Sequence, residues 1–314
     1  MYPNKESGLG SKMANALFDN AMFNNATTGR VFIVAKSGIT NESEIKAIYG
    51  NTYSDGTPVI YTTLTLALAS CVASRGDLIL VAPGHTETIV GAAGVSVATA
   101  GVTIVGLGKG ALRPMYTFTT SAAASFDVSA ASVTVRNLLF VCGIDNQTAV
   151  NNVTATDVTF DQCEWTISNG TVGAALGILT AATATRLTVS NSRFIGPATN
   201  AGTTCAAAIQ HESGVDYQIV NNYFAGKMTQ AIKNVATVLR GVIDNNKFVI
   251  GTGTVAITMA AASTPFITNN RMNVASGTTP ITAAAGFVAG NIYSAAAGVT
   301  STGQTASTAT VSTL

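Results

Sequence analysis

Between residues 104 and 293 the hydrophobic pattern keeps one frame and breaks it at regular intervals. Apolar residues first alternate with period two, as at Leu187 and Val189 in "LTVSNSRFIG", the spacing of one face of a β-strand. The alternation then stops at a polar position and resumes five residues after the last apolar one. Ile243 precedes Asn245 by two, and Phe248 follows it by three. The same frame holds Ile219, Asn221 and Phe224; Ile267, Asn269 and Met272; Val189, Asn191 and Phe194; and Val135, Asn137 and Phe140. Looser copies are Phe160, Gln162 and Trp165, and Val288, Gly290 and Tyr293. The first copy has Ile104 and Gly106, with Lys109 interrupting the aromatic column.

A straight strand would send residues five apart to opposite faces. A bend at the polar position returns both to one interior. Asn and Gly accept positive φ most readily, and this position is Asn five times, Gly twice and Gln once. Each frame therefore predicts two short strands joined by a corner, with the apolar pair facing a common core. Successive corners lie 31, 25, 29, 30, 24, 24 and 21 residues apart. That period, with no helical spacing, predicts an all-β parallel solenoid. A β-sandwich would turn about every 8–12 residues and need not repeat an aromatic after each turn. Coils stacked at ~4.8 Å make eight corners a rod of roughly 40 Å, along which asparagine side chains are expected to form amide ladders.

The frame divides the chain. Residues 1–30 are polar, Asn-rich and without a strand pattern, and read as an extended arm. Residues 31–75 hold a strand, a polar loop and a short helix expected at about residues 63–74. Residues 76–294 form the solenoid, and 295–314 a Ser/Thr/Ala-rich tail. The stretch "YTTLTLALASCVASRGDLILVAPGHTETI" (61–89) resembles the start of right-handed parallel β-helices of the pectin-lyase-like superfamily. That resemblance covers roughly residues 31–294. It implies a helix closing the first coil, an exit at Gly76–Asp77, a first core strand at residues 78–82 and a corner at Pro83–Gly84. A solenoid end exposes core and unpaired backbone, so a covering helix has a physical purpose. The likeness specifies fold far better than function.

Charge changes the picture by its scarcity. Only 10% of residues are charged, the net charge is +1, and none is charged after Asn273. No strong field draws nucleic acid or anionic lipid, so neither partner is expected. Mean hydropathy is +0.37, but the longest apolar stretches, 88–108 and 249–270, are interrupted by Gly, Thr, Ser or Asn and alternate like strands. No membrane span is expected. The first twenty residues lack a signal-type apolar core, so synthesis and retention or assembly in the cytosol are expected. Cys71, Cys142, Cys163 and Cys205 form no CxxC pair and have no His at metal spacing; they read as buried free thiols. No cofactor is expected.

Three stretches carry residue types capable of chemistry. "GLGKGA" (106–111) lacks the full phosphate-loop pattern. "PGHTET" holds His85 and Glu87, an acid–base pair or half a metal site on one reading and a solvated first-corner turn on the other. The carboxylates Asp157, Asp161 and Glu164, and Glu212 and Asp216 beside His211, are candidates for glycan cleavage. Asp157 and Asp161 share a face if their strand is straight, yet Asp before a corner also serves the turn. Trp165 falls in the interior column and reads as core. The Asp-Asp, Gly-His-Gly and Arg-Ile-Lys signatures of polygalacturonases, the arginine set of pectate lyases and a Ca²⁺ loop are absent. No catalytic or metal-binding assignment follows.

In its short coils, small side chains, low charge and flanking arms the chain resembles the trimeric β-helix proteins that bacteriophages carry as spikes, fibres or head decorations. The resemblance implies a virion structural protein, assembled in the host cytoplasm. It would be homotrimeric and bound through residues 1–30 to the major capsid protein or another virion protein. A head decoration or cement role fits best. The alternative is a tailspike-type receptor-binding protein that binds or cleaves host surface polysaccharide. Against it, only twenty residues follow position 294, where tailspikes add a trimerisation domain. A cellular adhesin or surface-layer protein would be expected to show a secretion signal.

Overall fold

A computed structural model describes residues 29–36, 43, 52–168, 172–197, 205–250, 255–274, 280–283 and 285–295. They form an all-β parallel solenoid. Strands of twelve-, nine- and eight-stranded sheets follow one another in each coil, and each strand pairs with its counterparts in the coils before and after. Most of the arm expected at 1–30 and nearly all of the tail at 295–314 lie outside the described residues, so both are left as sequence readings.

The long sheet begins at Val31–Val34, flanked by Ile60–Tyr61 and Leu78–Val81. A helix at Leu64–Leu68 packs against this end, capped by the Thr63 hydroxyl and burying Leu64, Ala67 and Leu68. It is half the length expected. Ser70, Cys71, Val72 and Ser74 are weak helix formers, and the buried Asp77 carboxylate draws the chain out of the helix. It accepts from the Val72 N–H at 2.7 Å, the Arg30 N–H at 2.9 Å and Arg75 Nε at 2.6 Å.

Left-handed backbone marks the corners. Asn137, Gln162, Asn191, Asn221, Asn245 and Asn269 have φ between 51° and 59°, and Gly290 has 66°. Gly106 departs from the expectation. It ends the strand Thr103–Gly106 without positive φ, and the left-handed residues are Gly108 and Gly110. Position 106 needs glycine for space, because a Cβ there would lie 2.3 Å from the Asn137 carbonyl oxygen. Asn137 Nδ2 donates to the Gly106 and Gly108 oxygens at 2.7 and 2.9 Å. The exposed Lys109 belongs to the loop that follows, and the aromatic column begins at Tyr116, in register with Phe140.

Inside, one residue per coil of the nine-stranded sheet stacks on the next: Tyr116, Phe140, Trp165, Phe194, Phe224, Phe248 and Met272, all buried. Trp165 and Phe194 lie 4.3 Å apart at 4°, Phe194 and Phe224 5.0 Å at 9°, and Phe224 and Phe248 4.8 Å at 6°. Tyr293 pairs with Met272 in register. Facing this column are Ile104, Val135, Phe160, Val189, Ile219, Ile243 and Ile267 of the long sheet, all fully buried, with half-buried Val288 after them. Burial of each large side chain is worth about 1.5–3 kcal/mol. The eight-stranded sheet adds Ile178, Ile209, Ile232 and Ile257. Asn151 interrupts that row but is satisfied: it accepts the Trp165 indole N–H at 2.6 Å and donates to the Phe126 oxygen.

The polar pairs divide their labour. The first residue makes the exposed corner; the second, at Ser192, Asn222, Asn246, Asn270 and Asn291, is buried. The main amide ladder therefore lies one position beyond the corners, because the corner residue itself turns outward. The N–H groups of Ser192, Asn222, Asn246 and Asn270 each donate to the Oδ1 of the next residue in this row, at 2.8–2.9 Å. Each Nδ2 from Asn222 to Asn291 donates back to a main-chain oxygen of the coil before: Val189, Ile219, Ile243 or Ile267. At the corners only Asn245 and Asn221 bond amide to amide.

Asn246→Ala should lower unfolding free energy by about 3 kcal/mol, since it orphans several buried polar groups at once. At the neighbouring corner, Asn245→Gly should be neutral within about 0.5 kcal/mol. Asn245→Val should cost about 1–2 kcal/mol through its left-handed φ. Denaturant midpoints of the three variants check this ordering.

Candidate functional site

The carboxylates proposed for chemistry sit on the outside of the solenoid, and each has a partner. Asp157 lies in a second row of left-handed corners, at the start of the long-sheet strands. The row runs Gly101, Ser132, Asp157, Arg186, Asp216 and Arg240. Its main chain is bonded coil to coil, from Gly101 N–H to the Ala131 oxygen through to Asp216 N–H and the Leu239 oxygen. The side chains form two forked ion pairs. Arg186 donates to both Asp157 oxygens at 2.5 and 2.6 Å, and Arg240 to both of Asp216 at 2.6 and 2.8 Å. Those guanidinium bonds hold both carboxyls below the ordinary aspartate range.

Asp161 ends the strand that Asp157 precedes. The two do not lie along a straight strand, because Asp157 has φ of 59°. Asp161 pairs with Arg136 of the preceding coil at 3.2 Å and accepts from Ser190 Oγ and Asn191 Nδ2, each at 2.8 Å. Glu164, beyond the corner, is bonded by Arg113 at 3.0 Å and Arg193 at 3.3 Å. The structure thus engages Asp157, Asp161, Glu164 and Asp216 with arginines of other coils. The sequence frame missed Arg186 and Arg240, whose signal is an Asp–Arg alternation at one-coil spacing.

Neither histidine is a solvent-facing catalyst. His85, expected on a solvated turn, is buried at 1% exposure. Its Nδ1 accepts from the Lys36 N–H at 3.1 Å, which leaves the ring proton on Nε2, 3.3 Å from Glu87 Oε2. Glu87 also accepts from the Leu64 N–H at the start of the helix. The pair fastens the first turn to the end cap. His211 points inward, away from Glu212 and Asp216. Glu212 accepts from Gln210 Nε2 at 2.7 Å. The His211 ring lies 4.5 Å from the Tyr217 ring, with Nδ1 3.2 Å from Thr180 Oγ1. Burial pushes its pKa down to about 4.

A cavity of about 40 Å³ is lined by Cys142, Trp165, Phe194, Cys205 and Met228 among others. Burial pushes the Cys205 thiol up to about 12 and raises that of Cys142, so neither offers a thiolate near neutral pH. Among the described residues no cluster of three His, Cys, Asp or Glu could hold a metal. Among the described residues no helix is long and apolar enough to cross a membrane.

No family model matches the chain, and no curated protein matches it. A solved structure to which it is similar is ORF18 of Geobacillus virus E2. The two share 10% identity with a TM-score of 0.28, over 73% of this chain and 56% of the viral one. The chain therefore spans little more than half the length of that protein.

The buried His211 sets an acid limit. Its folded pKa lies below the unfolded value of 6.5, so above about pH 6.5 the fold carries no penalty. As pH falls from there to about 4, the unfolded chain takes up a proton that the folded chain refuses. Stability should fall by about 3 kcal/mol in that window. The difference between the urea midpoints of wild type and His211→Gln, followed across it, isolates this contribution.

Proposed function

We propose that the protein is a structural component of a bacteriophage particle: a homotrimeric head decoration or cement protein held to the capsid through residues 1–30. The observation that carries this reading is the use of polar side chains along the rod. The carboxylates once considered for glycan cleavage are committed to arginines or amides, mostly of adjacent coils. A buried amide ladder does the same work inside. Such a molecule is stiff along its axis and has its acids engaged, which suits a load-bearing surface part better than a hydrolase. The small, mostly neutral outer side chains and the polar N-terminal segment support a part that packs against copies of itself and against a shell.

Self-association has a local candidate. Phe266 and Phe287 lie side by side on the outer face of the long sheet, 51% and 47% exposed, with rings 6.0 Å apart. Adjoining exposed rings favour burial by a partner. A glycan-cleaving tailspike would instead need Asp157 or Asp161 free to act.

Deletion of residues 1–30 should abolish binding to capsids lacking the protein, measured by co-sedimentation. Asp157→Asn and Asp161→Asn should leave it intact. Light scattering should give three times the chain mass, and a lower mass for Phe266→Ser with Phe287→Ser. A monomeric wild type, or release of reducing ends that either Asp variant abolishes, would overturn the reading.

A further inference from the structure

The edge of the rod between the long sheet and the nine-stranded sheet carries no loop in the C-terminal half. Only the corner pair separates the two strands there, as at Asn245 and Asn246 between Val238–Asp244 and Lys247–Ile250. Asn269 and Asn270 do the same one coil on, and Gly290 and Asn291 after them. The two outer faces that meet at this edge are therefore open to close approach.

Those faces complement each other. On the long sheet Val242, Phe266 and Phe287 form one outward row in register. On the nine-stranded sheet Lys247, Arg271 and Ile292 form another. Apolar groups stand exposed on both, Phe266 and Phe287 at 51% and 47% and Ile292 at 58%. Charge is divided by sign. The Asp244 carboxylate, on the long sheet, accepts from uncharged donors, Thr268 Oγ1 at 2.6 Å and Asn269 Nδ2 at 2.9 Å. Lys247 and Arg271 are exposed and have no carboxylate partner among the described residues. In the N-terminal half the same faces differ, because Arg136–Asp161 and Arg113–Glu164 are already paired within the chain.

A three-fold axis along the rod brings identical coils of three copies to one height. With the long sheets facing the axis, three Asp244 carboxylates converge. With the nine-stranded sheets facing it, the Lys247 and Arg271 cations converge. Like charges opposed across an interface disfavour both arrangements. Turning the corner row toward the axis sets the long sheet of each copy against the nine-stranded sheet of the next. Phe287 then meets Ile292, Phe266 meets the Arg271 guanidinium, which suits an aromatic face, and Asp244 meets Lys247. Each of these pairs comes from a single coil, on either side of its corner, so no axial offset is needed. The contact is heterologous, and a three-fold rotation closes it.

We propose that the long-sheet face at Asp244, Phe266 and Phe287 docks on the Lys247, Arg271 and Ile292 face of a second copy, giving a ring of three with the corner asparagines nearest the axis. The inference rests on the homotrimeric reading above and adds which two faces meet.

Light scattering of the wild type separates the two. A monomer overturns the homotrimer, and this contact with it. In a trimer, chains carrying Phe287→Cys co-expressed with chains carrying Ile292→Cys should form covalent pairs with a short bis-maleimide, which bridges the ~10 Å between packed sheets. Neither variant alone should do so. Asp244→Lys should raise the concentration for half-assembly by about tenfold or more. Adding Lys247→Asp and Arg271→Asp to it should return that concentration to within about threefold of wild type, which also shows that the fold is kept. The contact is overturned, with the trimer left standing, if Phe287→Cys cross-links by itself, if the mixed chains do not cross-link, or if Asp244→Lys has no effect or is not rescued.

Discussion

The stack depends on one hydrogen-bonding constraint. Where each coil turns from the long sheet to the nine-stranded sheet, strand pairing is interrupted while the backbone is still buried. An N–H left alone there costs about 1–3 kcal/mol. The Asn of the following coil accepts it, and its own Nδ2 donates to an oxygen of the coil before, as Asn270 does for the Asn246 N–H and the Ile243 oxygen. Asparagine suits this position because its amide carries an acceptor and a two-hydrogen donor on a stem short enough to stay inside the turn. The arrangement also fixes register. A shift of one residue would put a corner Asn inside and turn Phe224 or Phe248 out to solvent.

The two halves of the rod meet this constraint differently. The ladder begins at Ser192, whose hydroxyl accepts from the N–H of Cys163, the equivalent residue one coil earlier, and two coils earlier the position is buried Leu138. There the coils are joined on the outside by Arg136–Asp161, Arg113–Glu164 and Arg186–Asp157. In the C-terminal half the buried asparagines take over, with Arg240–Asp216 outside them. Most of these bonds link neighbouring coils, so stability is close to a sum of nearest-neighbour contributions.

The solenoid was legible because its interior repeats chemically. Ile243, Asn245 and Phe248 do the same work as Ile219, Asn221 and Phe224, and the repeat survives in the sequence. The frame failed at Gly106, where a loop separates the strand from Tyr116 and a glycine chosen for space resembled one chosen for φ. It missed the second row of corners because Ser132, Asp157, Arg186, Asp216 and Arg240 share a backbone conformation but no side-chain type. The carboxylates looked available for the same reason: their arginines lie 24–51 residues away and become neighbours only once the coils are stacked. His85 and Glu87 are two apart in sequence, but nothing local showed that the Lys36 and Leu64 N–H groups would engage them.

The row Asp157, Arg186, Asp216, Arg240 alternates in sign from coil to coil, and this limits how the rod can change length. Excising the coil that carries Arg186 would set Asp157 directly against Asp216. Excising two successive coils keeps opposite signs in contact. Duplication or shortening through this segment is therefore electrostatically smooth only in even numbers of coils, a parity rule that neither the core nor the amide ladder imposes.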